Sequence, residues 1–197
     1  NNSFNILYFT PMSTETFSVE FKKKNIPVNK FIPIILLVLV VILDQLTKAL
    51  VVKNIPLTYP VTVAASFFGD FLRIIHVCNP GIAFSIGQGW SYAAKAILFR
   101  LIPVIVIVLV LVVYFRSSDF TSLQRWAICG VAGGGIGNLI DRFFRKEGVV
   151  DFIDVKFYGI FGMERWPTFN VADAAVVICG ILLAVSFLVS FKKAKHN

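Results

Sequence analysis

The chain has 197 residues, of which 57% are hydrophobic and only 15% charged, with a net charge of +8. A soluble domain carries about 25% charged residues, so this chain cannot dress a water-facing surface, and it reads as a multi-pass membrane protein of one domain. The basic excess would suggest nucleic acid in a soluble protein. Here Lys and Arg gather at segment ends without basic–aromatic interleaving, which argues against nucleic acid and fits topology signals and anionic-lipid contacts.

Residues 1–30 are polar and mixed and end in "FKKKNIPVNK". They are expected to form an N-terminal cytoplasmic extension. Met12 offers a natural start, and no small-residue cleavage site follows the apolar run, so a cleavable signal peptide is not expected. Four apolar segments follow, at 31–52, 93–115, 124–142 and 171–191. Each is close to the ~20 residues that cross a bilayer core as a helix. The fold class is thus a mainly α membrane protein with four transmembrane helices. The membrane domain covers 31–192, and 193–197 form a short tail.

Basic residues set the orientation. Lys22, Lys23, Lys24 and Lys30 precede the first span, Arg116 and Arg125 bracket the loop between the second and third, and Lys192, Lys193 and Lys195 follow the fourth. The positive-inside rule places all of these, and both termini, in the cytoplasm. Segments 53–92 and 143–170 then lie outside. Within them "DFLRIIHV" (70–77) and "VVDFIDVKFYGIF" (149–161) alternate and are β-rich, predicting a small extracytoplasmic sheet or cradle on the membrane face. Trp90, Tyr92, Tyr158 and Trp166 suit the lipid–water interface. The three cysteines (Cys78, Cys129, Cys179) and two histidines (His76, His196) have no metal-ligand spacing.

Carboxylates are scarce, so their positions matter. Asp151 lies in the second outer segment and Asp173 in the first turn of the fourth span, at the same boundary. If the connecting segment folds back, the two meet and share a proton, because neighbouring carboxylates cannot both ionise easily. One then activates water as a base, while the other acts as an acid toward the scissile carbonyl. A helix N-terminus near Asp173 favours its charged form. No metal, cofactor or side-chain nucleophile is needed. Taken singly, Asp151 is also a plain solvated loop acid and Asp173 a plain first-turn acid, with Asn170 offering a cap.

Other polar groups converge there. Asp44 and Lys48, spaced i,i+4, can neutralise each other. Asn138 and Asp141 lie near the outer end of the third span. Arg142 follows, and an Asp141–Arg142 ion pair is one reading of it. Asn79 precedes a proline in a turn. The "GGGIGN" run (133–138) lacks a phosphate-loop ending. Its small residues at Gly130/Gly134 and Gly133/Gly137 predict close helix packing instead.

Five stretches appear in order: "DQLTK" (44–48), "NPGIAF" (79–84), "GNLIDR" (137–142), "VVDF" (149–152) and "FNVADAA" (169–175). Together they resemble the bacterial lipoprotein signal peptidases, or signal peptidase II, over residues 31–192. Ile82 stands where many members have Ala. The resemblance implies an aspartic endopeptidase of the bacterial cytoplasmic (inner) membrane, with its active site on the extracytoplasmic side. It would cut prolipoproteins just before a diacylglyceryl-modified Cys. Carried over by motif, the catalytic residues are Asp151 and Asp173. The resemblance implies that Asn79 and Arg142 contact the substrate backbone, that Asp44, Lys48, Asn138, Asp141 and Asn170 order the site, and that Gly81 does one or the other. Expected partners are lipid-modified prolipoproteins, membrane lipids and the cyclic peptide inhibitor globomycin, with the enzyme a monomer.

An ion- or proton-coupled transporter is the alternative. It would place its acids near mid-membrane and show internal repeats, neither of which the sequence has. A structural scaffold would have no need of paired outer acids.

Overall fold

The computed structural model describes residues 30–81 and 91–196, together with the backbone of 3–8 and 20–25. Met12, Ile82, Trp90 and the side chains of Tyr92, Lys22, Lys23, Lys24, Lys193, Lys195 and His196 lie outside the described residues. Strands β1 (Ser3–Tyr8) and β2 (Glu20–Asn25) pair as an antiparallel hairpin.

Helix α1 spans Ile34–Asn54. Its buried residues Val40, Asp44, Lys48 and Val51 recur at helical spacing along one face. The other faces expose Ile35, Val38, Leu39, Ile42, Leu43, Leu46 and Leu50. Polar inside and apolar outside suits a helix whose solvent is lipid. The next rod is helix α2 (Tyr92–Ala96), a π turn (Ile97–Leu101) and helix α3 (Ile102–Arg116), end to end. Helix α4 (Ser122–Phe144) starts with a reciprocal cap between Thr121 and Gln124. Helix α5 spans Val171–His196.

Among the described residues three helical stretches are long and apolar enough to cross a membrane: Ile34–Asn54, Ala93–Arg116 and Val171–Lys192. The third predicted segment forms α4, which is less apolar because glycines, Asn138, Asp141 and Arg142 interrupt it. It is also the most buried helix, packed against α1 and α5. The glycines make that possible. A Cβ on Gly133 would approach the Leu37 carbonyl oxygen to 2.8 Å, and one on Gly137 would approach Asp44 Oδ2 to 2.6 Å. On Gly130 and Gly134 it would collide with Cys179 and with the Ala172 backbone. The expected small-residue packing is therefore present, admitting neighbouring backbone at Gly133 and Gly134 and the Cys179 and Asp44 side chains at Gly130 and Gly137.

Two cations close the end of α3. Lys30, 2% exposed, donates from Nζ to the carbonyls of Ser117 (2.6 Å) and Phe115 (3.2 Å). Arg125 Nη2 donates to the Ser117 and Ser118 carbonyls at 3.4 Å, with its guanidinium over the Tyr114 and Phe120 rings. Both sit where a helix C-terminus favours positive charge.

At the opposite end, strands β3 (Val63–Phe67), β4 (Leu72–Asn79) and β5 (Val149–Val155) form an antiparallel sheet in the order β3-β4-β5. Val77 lies opposite Asp151, and Ile74 opposite Ile153, so β4 carries one extra residue between them. Strand β4 has the expected length but is displaced two residues along the chain from 70–77, and β5 stops at Val155 rather than running to 161. Phe68 and Gly69 turn the chain before β4, and left-handed Tyr158, Gly159 and Phe161 turn it after β5. Val51, Ile55, Val150 and Phe152 form the core between the sheet and α1.

Candidate active site

Two elements carry the two aspartates named from sequence. Asp151 sits mid-strand on β5 and Asp173 in the first turn of α5. The chain between them does fold back. Phe169 pairs with Ile153 through hydrogen bonds of 2.8 and 3.0 Å, hanging the entry of α5 on β5. This brings Asn170 beneath Asp151.

Asn170 is fully buried and joins both acids. Its Nδ2 donates to Asp151 Oδ1 at 2.7 Å. Its Oδ1 accepts from the Asp173 amide at 2.9 Å, while its own amide donates to Asp173 Oδ2 at 3.2 Å. That reciprocal pair is a capping box with Asp at the third helical position. Asn79, at the end of β4, donates from Nδ2 to the other Asp151 oxygen at 3.4 Å. Its Oδ1 accepts from the Gly81 amide at 3.1 Å, so the expected turn and a contact with Asp151 coexist in one side chain.

Asn138 holds Asp173. Its Oδ1 accepts from Lys48 Nζ (3.0 Å) and from Asn170 Nδ2 (3.1 Å). Both are donors, so the amide is oriented with Nδ2 toward Asp173 Oδ1, at 2.7 Å. Asp173 remains half-buried and Asp151 buried. Neither forms an ion pair with Lys or Arg among the described residues. Burial, and then the nearby Asp173 charge, push the Asp151 carboxyl up to about 7; the Asn170 and Asn79 hydrogen bonds oppose the shift.

Beside the pair lies a second group of acids. Lys48 Nζ meets Asp44 Oδ2 at 2.8 Å and Asp141 Oδ2 at 2.9 Å, with all three side chains at 0% exposure. The i,i+4 neutralisation of Asp44 is thus half of a triad. Asp44 Oδ1 also accepts from the Ala172 amide at 3.0 Å, placing negative charge on the α5 N-terminus. Asp141 Oδ2 accepts from the Val150 amide at 3.2 Å, fixing β5 next to Asp151.

The expected Asp141–Arg142 pair does not form. Successive helix positions face different ways; Asp141 turns to Lys48 and to Arg145 (3.0 Å). Arg142 turns to Phe99, donating from Nη1 to its carbonyl at 3.2 Å with the guanidinium over its ring. Sequence reasoning also missed Gln45. Its Nε2 reaches Asp44 (3.1 Å), the Gly137 carbonyl (3.0 Å) and Asp141 (3.3 Å). Its place inside "DQLTK" was the available signal. His76, whose Nδ1 lies 2.7 Å from the Ile55 carbonyl, ties β4 to the end of α1. No sequence pattern marked it.

Fold and site define a class: a helical membrane protein with a carboxylate-rich polar centre beneath a small sheet. Residues 36–189 match the family described as signal peptidase (SPase) II, and the chain belongs to that family of aspartic peptidases. It is 49% identical to the lipoprotein signal peptidase of Treponema pallidum, over 85% of this chain and 88% of that one. Identity to the lipoprotein signal peptidase of Borrelia turicatae is 48%, over 86% and 95%. A solved structure of a bacterial membrane enzyme, obtained by the in meso method, superposes with a TM-score of 0.67 at 28% identity. The match covers 84% of this chain and 93% of that one.

Proposed function

We propose that this protein removes signal peptides from prolipoproteins, hydrolysing the bond before a diacylglyceryl-modified Cys with Asp151 and Asp173 as its catalytic pair. The observation that carries the reading is Asn170, one buried side chain hydrogen-bonded to both acids. In the reacting form the pair holds one proton, carried by Asp151, whose carboxyl is pushed up to about 7 by burial and then by the neighbouring Asp173 charge. Asp173 takes a proton from water as the oxygen attacks the scissile carbonyl carbon. Asp151 gives its proton to the carbonyl oxygen, forming a neutral gem-diol. Collapse breaks the C–N bond. The leaving amine takes the proton held by Asp173, and Asp151 recovers one from the diol hydroxyl.

Arg142 has nitrogens beyond its Phe99 bond and contacts the substrate backbone together with Asn79, while Gly81 binds substrate or orders the site. Asp44, Lys48, Asn138, Asp141 and Asn170 order the site. In this reading all four long helices span a bacterial cytoplasmic membrane, both termini are cytoplasmic, and the acids lie at the outer boundary. A lipid-anchored substrate must be cut there, with its acyl chains left in the bilayer. Residues 1–30 and 193–197 then flank the peptidase domain on the inner side. The enzyme works as a monomer among anionic lipids, and globomycin occupies the pair.

The test is cleavage of a diacylglyceryl-modified prolipoprotein by purified protein, followed by gel shift. Asp151→Asn and Asp173→Asn should each cut ~10³-fold or more slowly while remaining folded. Parental cutting in either removes the pair from the mechanism. A chelator should leave the rate unchanged.

A further inference from the structure

The rod that packs beside α4 contains a sequence conflict. In a regular helix the Phe99 carbonyl would bond the amide of residue 103, but residue 103 is proline, which has no N–H and whose ring crowds that carbonyl. The chain widens there into the π turn Ile97–Leu101, where the Ile102 amide reaches back to the Ile97 carbonyl. Such single π turns inside helices cluster at functional sites. Here the carbonyl that Pro103 releases meets a side-chain donor. It accepts from Arg142 Nη1 at 3.2 Å.

Two more contacts bind the same pair of segments. The Phe99 ring, buried at 7% exposure, lies 5.5 Å from the Arg142 guanidinium carbon. Arg100, the next residue in the π turn, donates from Nε to the Arg142 carbonyl at 2.7 Å. Arg142 is therefore gripped at its side chain and at its backbone by neighbouring residues of one turn. A long guanidinium arm has many rotamers, and fixing it before substrate arrives removes that entropic cost from the binding step.

We infer that the proline-opened π turn is a clasp that presents Arg142 to substrate, making Phe99, Arg100 and Pro103 positioning residues of the peptidase reaction. The inference rests on the reading of Arg142 as a substrate contact. Pro103→Ala supplies an amide that competes for the Phe99 carbonyl and lets the turn close to an α-helix. A helix gains from losing an interior proline, so the stability and activity effects point in opposite directions, which a merely structural role would not produce.

The experiment measures kcat, KM and melting temperature for the full chain with a lipid-modified prolipoprotein. Pro103→Ala should lower kcat/KM about tenfold, chiefly through KM, and melt no lower than the parent. Added to Arg142→Ala, it should cost nothing further. Arg100→Met should lose several-fold in kcat/KM, and Arg100→Lys should restore part of it. Parental kcat/KM in both Pro103→Ala and Arg100→Met, or losses fully additive with Arg142→Ala, would overturn the clasp while leaving Arg142 as a substrate contact. A parental rate in Arg142→Ala overturns the substrate contact and the clasp with it.

Discussion

Two pairs of aspartates occupy this small polar centre, and they differ in what lies between their members. Asp44 and Asp141 are bridged by the ammonium of Lys48, at 2.8 and 2.9 Å. Asp151 and Asp173 are bridged by an amide, Asn170. An ammonium brings a positive charge between the carboxylates of the first pair and so offsets their repulsion. An amide donates hydrogen bonds but carries no charge, so in the second pair burial, and then the neighbouring Asp173 charge, still favour a proton on Asp151. The first pair joins α1, α4, β5 and the start of α5, while in the proposed reaction the second keeps a proton available for transfer. The lesson is that in a low-dielectric site the bridging group, more than the acids themselves, separates a brace from a reacting pair.

Removing the brace should be the most damaging change to the fold. Lys48→Met leaves fully buried Asp44 without its cation and Asp141 with only the partly exposed Arg145, and it deprives Asn138 of a donor that orients it. We expect a loss of about 3–5 kcal/mol, seen as a large drop in detergent melting temperature, with cleavage lost as well. Retention of the parental melting temperature would break the contrast between the pairs.

The reacting pair should behave in the opposite sense. Asp151 is held at about 7, above its reference value of 3.8, so the folded state binds a proton that the unfolded chain has released between those values. Stability therefore falls as pH rises from about 4 to about 7 and stays reduced above that. Asp151→Asn cannot ionise and escapes the penalty. It should melt a few degrees higher than the parent at pH 8, with the difference shrinking toward pH 4. Cleavage by the parent should fall about tenfold per pH unit above 7, as the acid of the pair is lost. A flat profile from pH 6 to pH 9 would place the proton elsewhere.

Much of this contrast was readable in the residues. Asp44 and Lys48 are within reach on any helix, and Gly130, Gly133, Gly134 and Gly137 announce close packing by their spacing. The third arm of the brace was not readable, because Asp141 comes from another helix and local spacing rules see only the helix they are applied to. Adjacency even misled, since Asp141 and Arg142 look like partners in sequence but face different neighbours across the bundle. The bridge of Phe169 to Ile153, which brings the two catalytic candidates together, involves too few residues to leave a periodic pattern. Pro103 was visible but lay inside an uninterrupted apolar run, where a membrane helix tolerates it. Its effect, a released carbonyl, has meaning only once Arg142 is known to sit opposite.

The finest distinction concerns Arg145. It meets Asp141 Oδ1 at 3.0 Å but is a quarter exposed, unlike fully buried Lys48. Without it Asp141 still accepts from Lys48, Gln45 and the Val150 amide, so no buried charge is stranded. A partly solvated pair of this kind contributes at most about 1 kcal/mol. Arg145→Gln should therefore shift the melting temperature slightly and leave cleavage within twofold of the parent. If it instead approached the Lys48→Met loss, the brace would need both cations, and the charge balance assigned to Lys48 alone would have to be redrawn around a four-membered network.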